Sequence, residues 1–282
     1  MNGSYRAELL KLLRWPAMWI LAALLLVLSQ VFGYLIPYVG YRSGGGSGFA
    51  AGQTPAQLLA DLLPGRLVPN TLGGFPMFAG AIALIIGGLA AGGEYGWGTL
   101  KTILVQRPRR LTVLAGKLLA IQTVILAVVL ATFALDGLWS GVIAATEGRT
   151  ADWPSLLDLG RGIGAGWLIL GMWSLLGAFL GVLFRSTSLA VGLGLVWALA
   201  IENLVRGFAN LLGFLDAFQR GLPGVNAGSL VASLGAATLD QSGGTPGVAA
   251  VVSGTQALLV LGAYVVVLAA LAGVVLQRQD VN

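Results

Sequence analysis

Residues 94–117, EYGWGTLKTILVQRPRRLTVLAGK, separate two long apolar stretches and decide how the chain must fold. They hold one carboxylate, Glu94, and five cations, Lys101, Arg107, Arg109, Arg110 and Lys117, whereas residues 67–93 carry no charge at all. Gly96 and Gly98 permit a sharp change of direction. Thr99 suits a helix N-cap, Leu100, Ile103 and Leu104 form a short apolar stripe, and Pro108 discourages continuation. The segment reads as a short helix at a membrane surface, an elbow between two spans, or equally as an ordinary connecting loop. Residue chemistry alone leaves both open.

Composition demands that the flanking stretches be membrane spans. Of 282 residues, 57% are hydrophobic and 10% are charged, against about 25% charged in a soluble domain. So few charges cannot cover a soluble surface of this size, so the chain reads as an all-α polytopic membrane protein of one domain. The 43 glycines suit close helix packing in lipid. The sequence has no cysteine and no histidine. That removes disulfides, thiolate nucleophiles, iron–sulfur clusters, cysteine zinc sites and imidazole catalysis.

Working outward from the elbow, six apolar segments are long enough to cross about 30 Å of hydrocarbon. They lie at about 15–38, 75–92, 114–144, 162–184, 188–204 and 248–276. In the second, Gly88 and Gly92 form a small-xxx-small pair able to admit another helix. Residues 1–14 are too short and too charged to span. Tyr5, Leu9, Leu12 and Leu13 recur at helical spacing, with Arg6, Glu8, Lys11 and Arg14 on the other face, the pattern of an interfacial amphipathic helix. A plain basic flank before the first span is the alternative. Between the fifth and sixth spans, residues 208–218 and 225–239 are apolar but short, and read as external or re-entrant helices.

Charge sets the orientation. With the elbow inside, the inner side carries ten Lys and Arg residues and three acids, and the remainder carries six and eight. The positive-inside bias then places both termini in the cytoplasm. It explains the formal charge of +5 without a nucleic-acid partner.

Glu94, then Gly98-Thr99-Leu100, then Arg110 and Lys117 opening the next span, resembles the coupling segment of type-2 ATP-binding-cassette exporter permeases. The opening run Glu8-x-x-Lys11-Leu12-x-Arg14-x-Pro16-x-x-Trp19 is similar to that family's N-terminal connecting helix, and Arg278-Gln-Asp280 looks like its common ending. The resemblance implies six membrane helices and a coupling segment at 94–110 that docks on a separate ATPase. In that role Glu94, Gly98, Thr99, Leu100, Lys101, Ile103 and Leu104 would take the partner's force. Lys11, Arg14, Arg109, Arg110 and Lys117 would anchor the chain at the membrane surface. The implied partners are two ATPase copies, a second permease copy (a homodimer in preference to a heterodimer) and the bilayer of a prokaryotic cytoplasmic membrane. No cofactor is expected on this chain; ATP and magnesium would sit on the partner. The only Gly-Lys pair, Gly116-Lys117, has Leu111 and Leu118 where a phosphate-binding loop needs Gly and Ser or Thr. The transported molecule would be amphiphilic, a drug, peptide antibiotic or lipid-like compound, since no span shows a polar cluster to hold a small solute.

Acids inside spans are the remaining candidates. Asp136 could meet a cationic substrate or relay a proton, although Trp139 and Ser140 beside it suggest an interface position. Glu202 and Arg206, one turn apart, read as gating residues or as a local ion pair closing the fifth span. Two other classes stay open at this stage. An ion-coupled carrier would need several midplane ionisable residues and broken helices. A lipid-modifying membrane enzyme would need a convergent nucleophile and base.

Overall fold

The structure is a computed structural model describing residues 2–45, 52–96, 110–209 and 213–278. The described residues are helical with no strand, and six helices are long and apolar enough to cross a membrane. The chain is a multi-pass membrane protein. Helix α1 spans Asn2–Arg14. The first crossing helix, α2, is Pro16–Arg42, and a short helix α3, Pro55–Leu62, follows it. The crossing helices α4, α5, α6 and α7 are Pro64–Tyr95, Arg110–Thr146, Leu156–Phe184 and Thr187–Phe208. Two short helices, α8 (Gly213–Gln219) and α9 (Pro223–Ser233), precede the last crossing helix, α10 (Gly254–Arg278).

Several boundaries differ from the periodicity reading. Helix α4 begins eleven residues before the predicted start of the second span, because Pro64 opens a helical turn that Leu67–Gly73 continues into the membrane. Pro is tolerated at that first position, where its missing N–H would be unpaired anyway. Helix α5 runs 37 residues without a break, roughly 55 Å at 1.5 Å per residue, well beyond the roughly 30 Å of hydrocarbon it has to cross. Helix α3 starts with a capping box: Thr54 Oγ1 accepts from the Gln57 N–H at 3.3 Å, and the Thr54 N–H donates to Gln57 Oε1 at 2.9 Å.

The centre of the bundle is the pair α4 and α6, which are buried over most of their spanning windows, while α2 and α7 lie at the periphery. Glycine makes the central crossing possible. A Cβ on Gly87 would overlap the Ser174 carbonyl, and one on Gly177 would overlap the Leu84 carbonyl, so backbone touches backbone. Gly92 continues the seam against Thr187 at the start of α7. The tight turn between α6 and α7 puts Arg185 at φ +52°, and Ser186 caps α7.

Three helices contain a widened turn, at Val31–Leu35 in α2, Phe75–Ala79 in α4 and Val196–Ile201 in α7. Proline accounts for the first two. Pro37 has no N–H for the carbonyl of Gly33, and that carbonyl instead accepts from Asn70 Nδ2 on α4 at 3.2 Å. At Pro76 the ladder shifts register, so the Ala79 N–H reaches back to Gly74 at 3.1 Å. All three irregular turns lie in the half of the bundle away from Glu94 and Lys117.

Candidate functional site

At the elbow end, four charged side chains from three elements meet. Lys117, in the first turns of α5, forms an ion pair with Glu94 at the end of α4, and Lys11 of α1 pairs with the same carboxylate. Glu8, one turn before Lys11, lies 3.0 Å from the Lys11 ammonium and 3.9 Å from that of Lys117. Lys117 also donates to the Ala90 carbonyl at 3.4 Å. Glu94 is 2% exposed and Lys117 4%. Two carboxylates and two ammonium groups neutralise one another in a closed clasp. Burying either sign alone would carry a heavy desolvation cost.

The local sequence explains how α1 reaches this site. Ser4, Tyr5, Glu8, Lys11, Leu12 and Trp15 form the face turned to the bundle, and Arg6, Leu10, Leu13 and Arg14 face outward. That is a rotation from the predicted amphipathic face, in which Leu13 faced inward while Glu8 and Lys11 faced water. The reason is pairing: the buried acid and base on α1 meet a base and an acid already fixed by α4 and α5. Small contacts set the docking distance. A Cβ on Gly116 would lie 2.7 Å from Ser4 Oγ, the Tyr5 hydroxyl is 3.1 Å from Thr123 Oγ1, and the Trp15 ring covers Gly93. Burial pulls the Lys11 pKa down, but the carboxylates of Glu94 and Glu8 outweigh it and leave the value above that of an ordinary lysine.

The return from the elbow is fixed as well. Arg110 donates to the carbonyls of Leu276 and Gln277 at 3.4 and 3.5 Å, placing a cation at the negative end of α10. Thus the predicted surface anchors behave differently from one another. Arg14 is exposed, Lys11 is half-buried in the clasp, Arg110 caps another helix, and Lys117 lies inside the protein instead of at the lipid surface. Arg109 and the predicted coupling residues Gly98, Thr99, Leu100, Lys101, Ile103 and Leu104 lie outside the described residues.

The opposite half holds a second polar group. Asp136 of α5 is 1% exposed, so it is an interior residue and not an interface one, although Trp139 beside it is exposed. Gln30 of α2 donates to Asp136 Oδ1 at 2.6 Å. Thr71 of α4 stands near the same carboxyl without completing a hydrogen bond, and Ser140, one turn further along α5, is likewise buried and unpaired. Among the described residues no Lys or Arg nitrogen pairs with Asp136. In front of this group, between α2 and α4, is a cleft of about 290 Å³.

Glu202 is fully buried and accepts from the Trp197 indole at 3.1 Å. Its second oxygen presses against Gly224 in the first turn of α9, where a Cβ would overlap it. Arg206 is near it, but no contact within 4.0 Å joins the two side chains among the described ion pairs, so Glu202 braces α9 more than it closes α7. Just past the C-terminal end of α5, Glu147 accepts from Tyr38 at 2.9 Å and Tyr41 at 2.8 Å, with Arg42 at 3.4 Å. The two tyrosine hydroxyls, Tyr41 first, hold its pKa below the ordinary glutamate value. Sequence reading missed Glu8, Gln30, Thr71 and Glu147 as partners. A signal existed for Gln30, a lone amide in an apolar span that would need a polar partner such as Asp136.

Among protein families, the model described as "ABC-2 family transporter protein" matches residues 4–281. No curated protein matches the chain.

Proposed function

The chain belongs to the ABC-2 family of transporter proteins, and on that premise we propose that it is the membrane permease through which a separate ATPase drives export of an amphiphilic molecule. Membership sets aside the ion-coupled carrier and the lipid-modifying enzyme. The observation that carries the coupling role is that both flanks of residues 97–109 are tied into the bundle. Glu94 is held by Lys117 and Lys11 on one side, and Arg110 is held by the end of α10 on the other. A push delivered to the intervening segment therefore enters α1, α4, α5 and α10 together.

In this reading two ATPase copies engage two permease copies, ATP and magnesium act on the ATPase, and the elbow and both termini face the cytoplasm of a prokaryotic inner membrane. The clasp moves as a stiff unit. The widened turns in α2, α4 and α7 take up the deformation on the other side, as irregular helical turns do at hinge positions. Asp136 belongs to the deformable half, and Glu202 steadies the short helix α9 there.

The test is exchange of residues 97–109 for a glycine–serine linker of equal length, with candidate ATP-binding-cassette ATPases co-expressed. The expected outcome is a chain that still inserts and unfolds at the wild-type temperature but no longer co-purifies with the ATPase. Undiminished association would overturn the assignment of this segment as the docking site.

A further inference from the structure

The cleft between α2 and α4 has a chemical direction. Toward the middle of the bundle its walls are Leu25, Leu28, Phe78 and Ile82; toward the far end they include Asn70 and Thr71. Its mouth carries Asp61, which is already matched by Arg66 at 3.4 Å and by Gln53 at 3.1 Å. The mouth is therefore electrically balanced. Behind Thr71 the balance fails. Asp136 is buried with one amide donor and no basic partner, and the oxygens of Gln30, Thr71 and Ser140 around it are buried without hydrogen-bond partners. Thr71 belongs to both places, lining the cleft and standing beside the Asp136 carboxyl.

A negative group inside a low-dielectric span acts over several ångströms, because little water screens it. An apolar tail fits the inner walls, and a positive head drawn to Thr71 would supply the missing countercharge. We propose that the α2–α4 cleft is a binding site for single-chain amphiphiles with a cationic head, selected by the Asp136–Gln30–Thr71–Ser140 group behind it. This deepens the permease reading and rests on it, since the occupant would be the transported molecule or resemble it. The tail points to the bilayer centre and the head to the far surface, the orientation of an amphiphile in the far leaflet.

The experiment uses the full chain in phosphatidylcholine nanodiscs and two fluorescent probes with the same alkyl tail, one bearing a trimethylammonium head and one an uncharged hydroxyl head. Binding to protein-free discs is subtracted. The ammonium probe is expected to bind about tenfold tighter or more. Asp136→Asn, which keeps an oxygen for the Gln30 amide, is expected to remove that preference, and Phe78→Ala, which strips apolar wall from the cleft, to weaken both probes alike. Equal affinity of the two probes for the wild-type chain would overturn the proposal, as would an Asp136→Asn variant that keeps the preference. Absence of binding by both probes would overturn the cleft as a site. Co-purification with the ATPase, measured on the same preparations, reports separately on the permease reading.

Discussion

The two ends of the bundle solve the same problem in opposite ways. Each buries a carboxylate where water cannot reach it. At the elbow end Glu94 is surrounded by Lys11 and Lys117, with Glu8 completing a neutral set, and the helices there are regular. At the other end Asp136 has an amide for company and no cation, and the helices beside it carry widened turns at Val31–Leu35 and Phe75–Ala79. A paired buried charge fastens elements together, while an unpaired one is a standing demand for a partner. The difference assigns stiffness to one end and response to the other.

The comparison can be broken most forcefully at Glu94. Glu94→Ala leaves Lys117 buried without its countercharge and is expected to destabilise the chain by about 3–5 kcal/mol, read as a lowered unfolding temperature in nanodiscs. Joining Glu94→Leu to Lys117→Met should recover most of that loss, because an apolar pair of similar size removes the desolvation cost along with the attraction. If the double variant is as unstable as Glu94→Ala alone, the clasp is not a charge-pairing device. Asp136→Asn should behave differently and change stability by less than about 1 kcal/mol, since no ion pair is lost and the Gln30 contact can persist.

The smallest effect concerns Glu147, which fastens the C-terminal ends of α2 and α5. Its pKa is lower in the folded chain than in an unfolded one. The stabilisation is present above the ordinary glutamate range and disappears as pH falls through the lowered value. Acid should loosen α2 from α5 in wild type, and Glu147→Gln should flatten that response in a melting-temperature titration. An unchanged titration in the variant would show that another group governs it.

How much of this was readable from residues follows from range. Span number and the small-residue seam at Gly88 and Gly92 are local, set by runs and neighbours a few positions apart. The clasp is not: Lys11 and Glu94 are 83 positions apart, and a basic residue that follows a charged loop ordinarily stays at the lipid surface. Local pattern therefore puts Lys117 at that surface, and Glu8 with Lys11 on the water-facing side of α1. The interior position of Asp136 was hidden in the same way, since Trp139 three residues on faces outward while Asp136 faces in. Helical phase decides between them, and an apolar span of 37 residues gives little contrast from which to read phase.

Spin labelling compares the two ends directly, and the absence of native cysteine makes introduced labels unambiguous. One pair, at Arg6 and Leu119, spans the clasp from exposed positions on α1 and α5; the other, at Phe32 and Phe78, spans the cleft from exposed positions on α2 and α4. With the ATPase bound, distances are measured without nucleotide and with ATP trapped. The account predicts an unchanged clasp distance and a shifted cleft distance. A clasp that opens while the cleft stays fixed would contradict it.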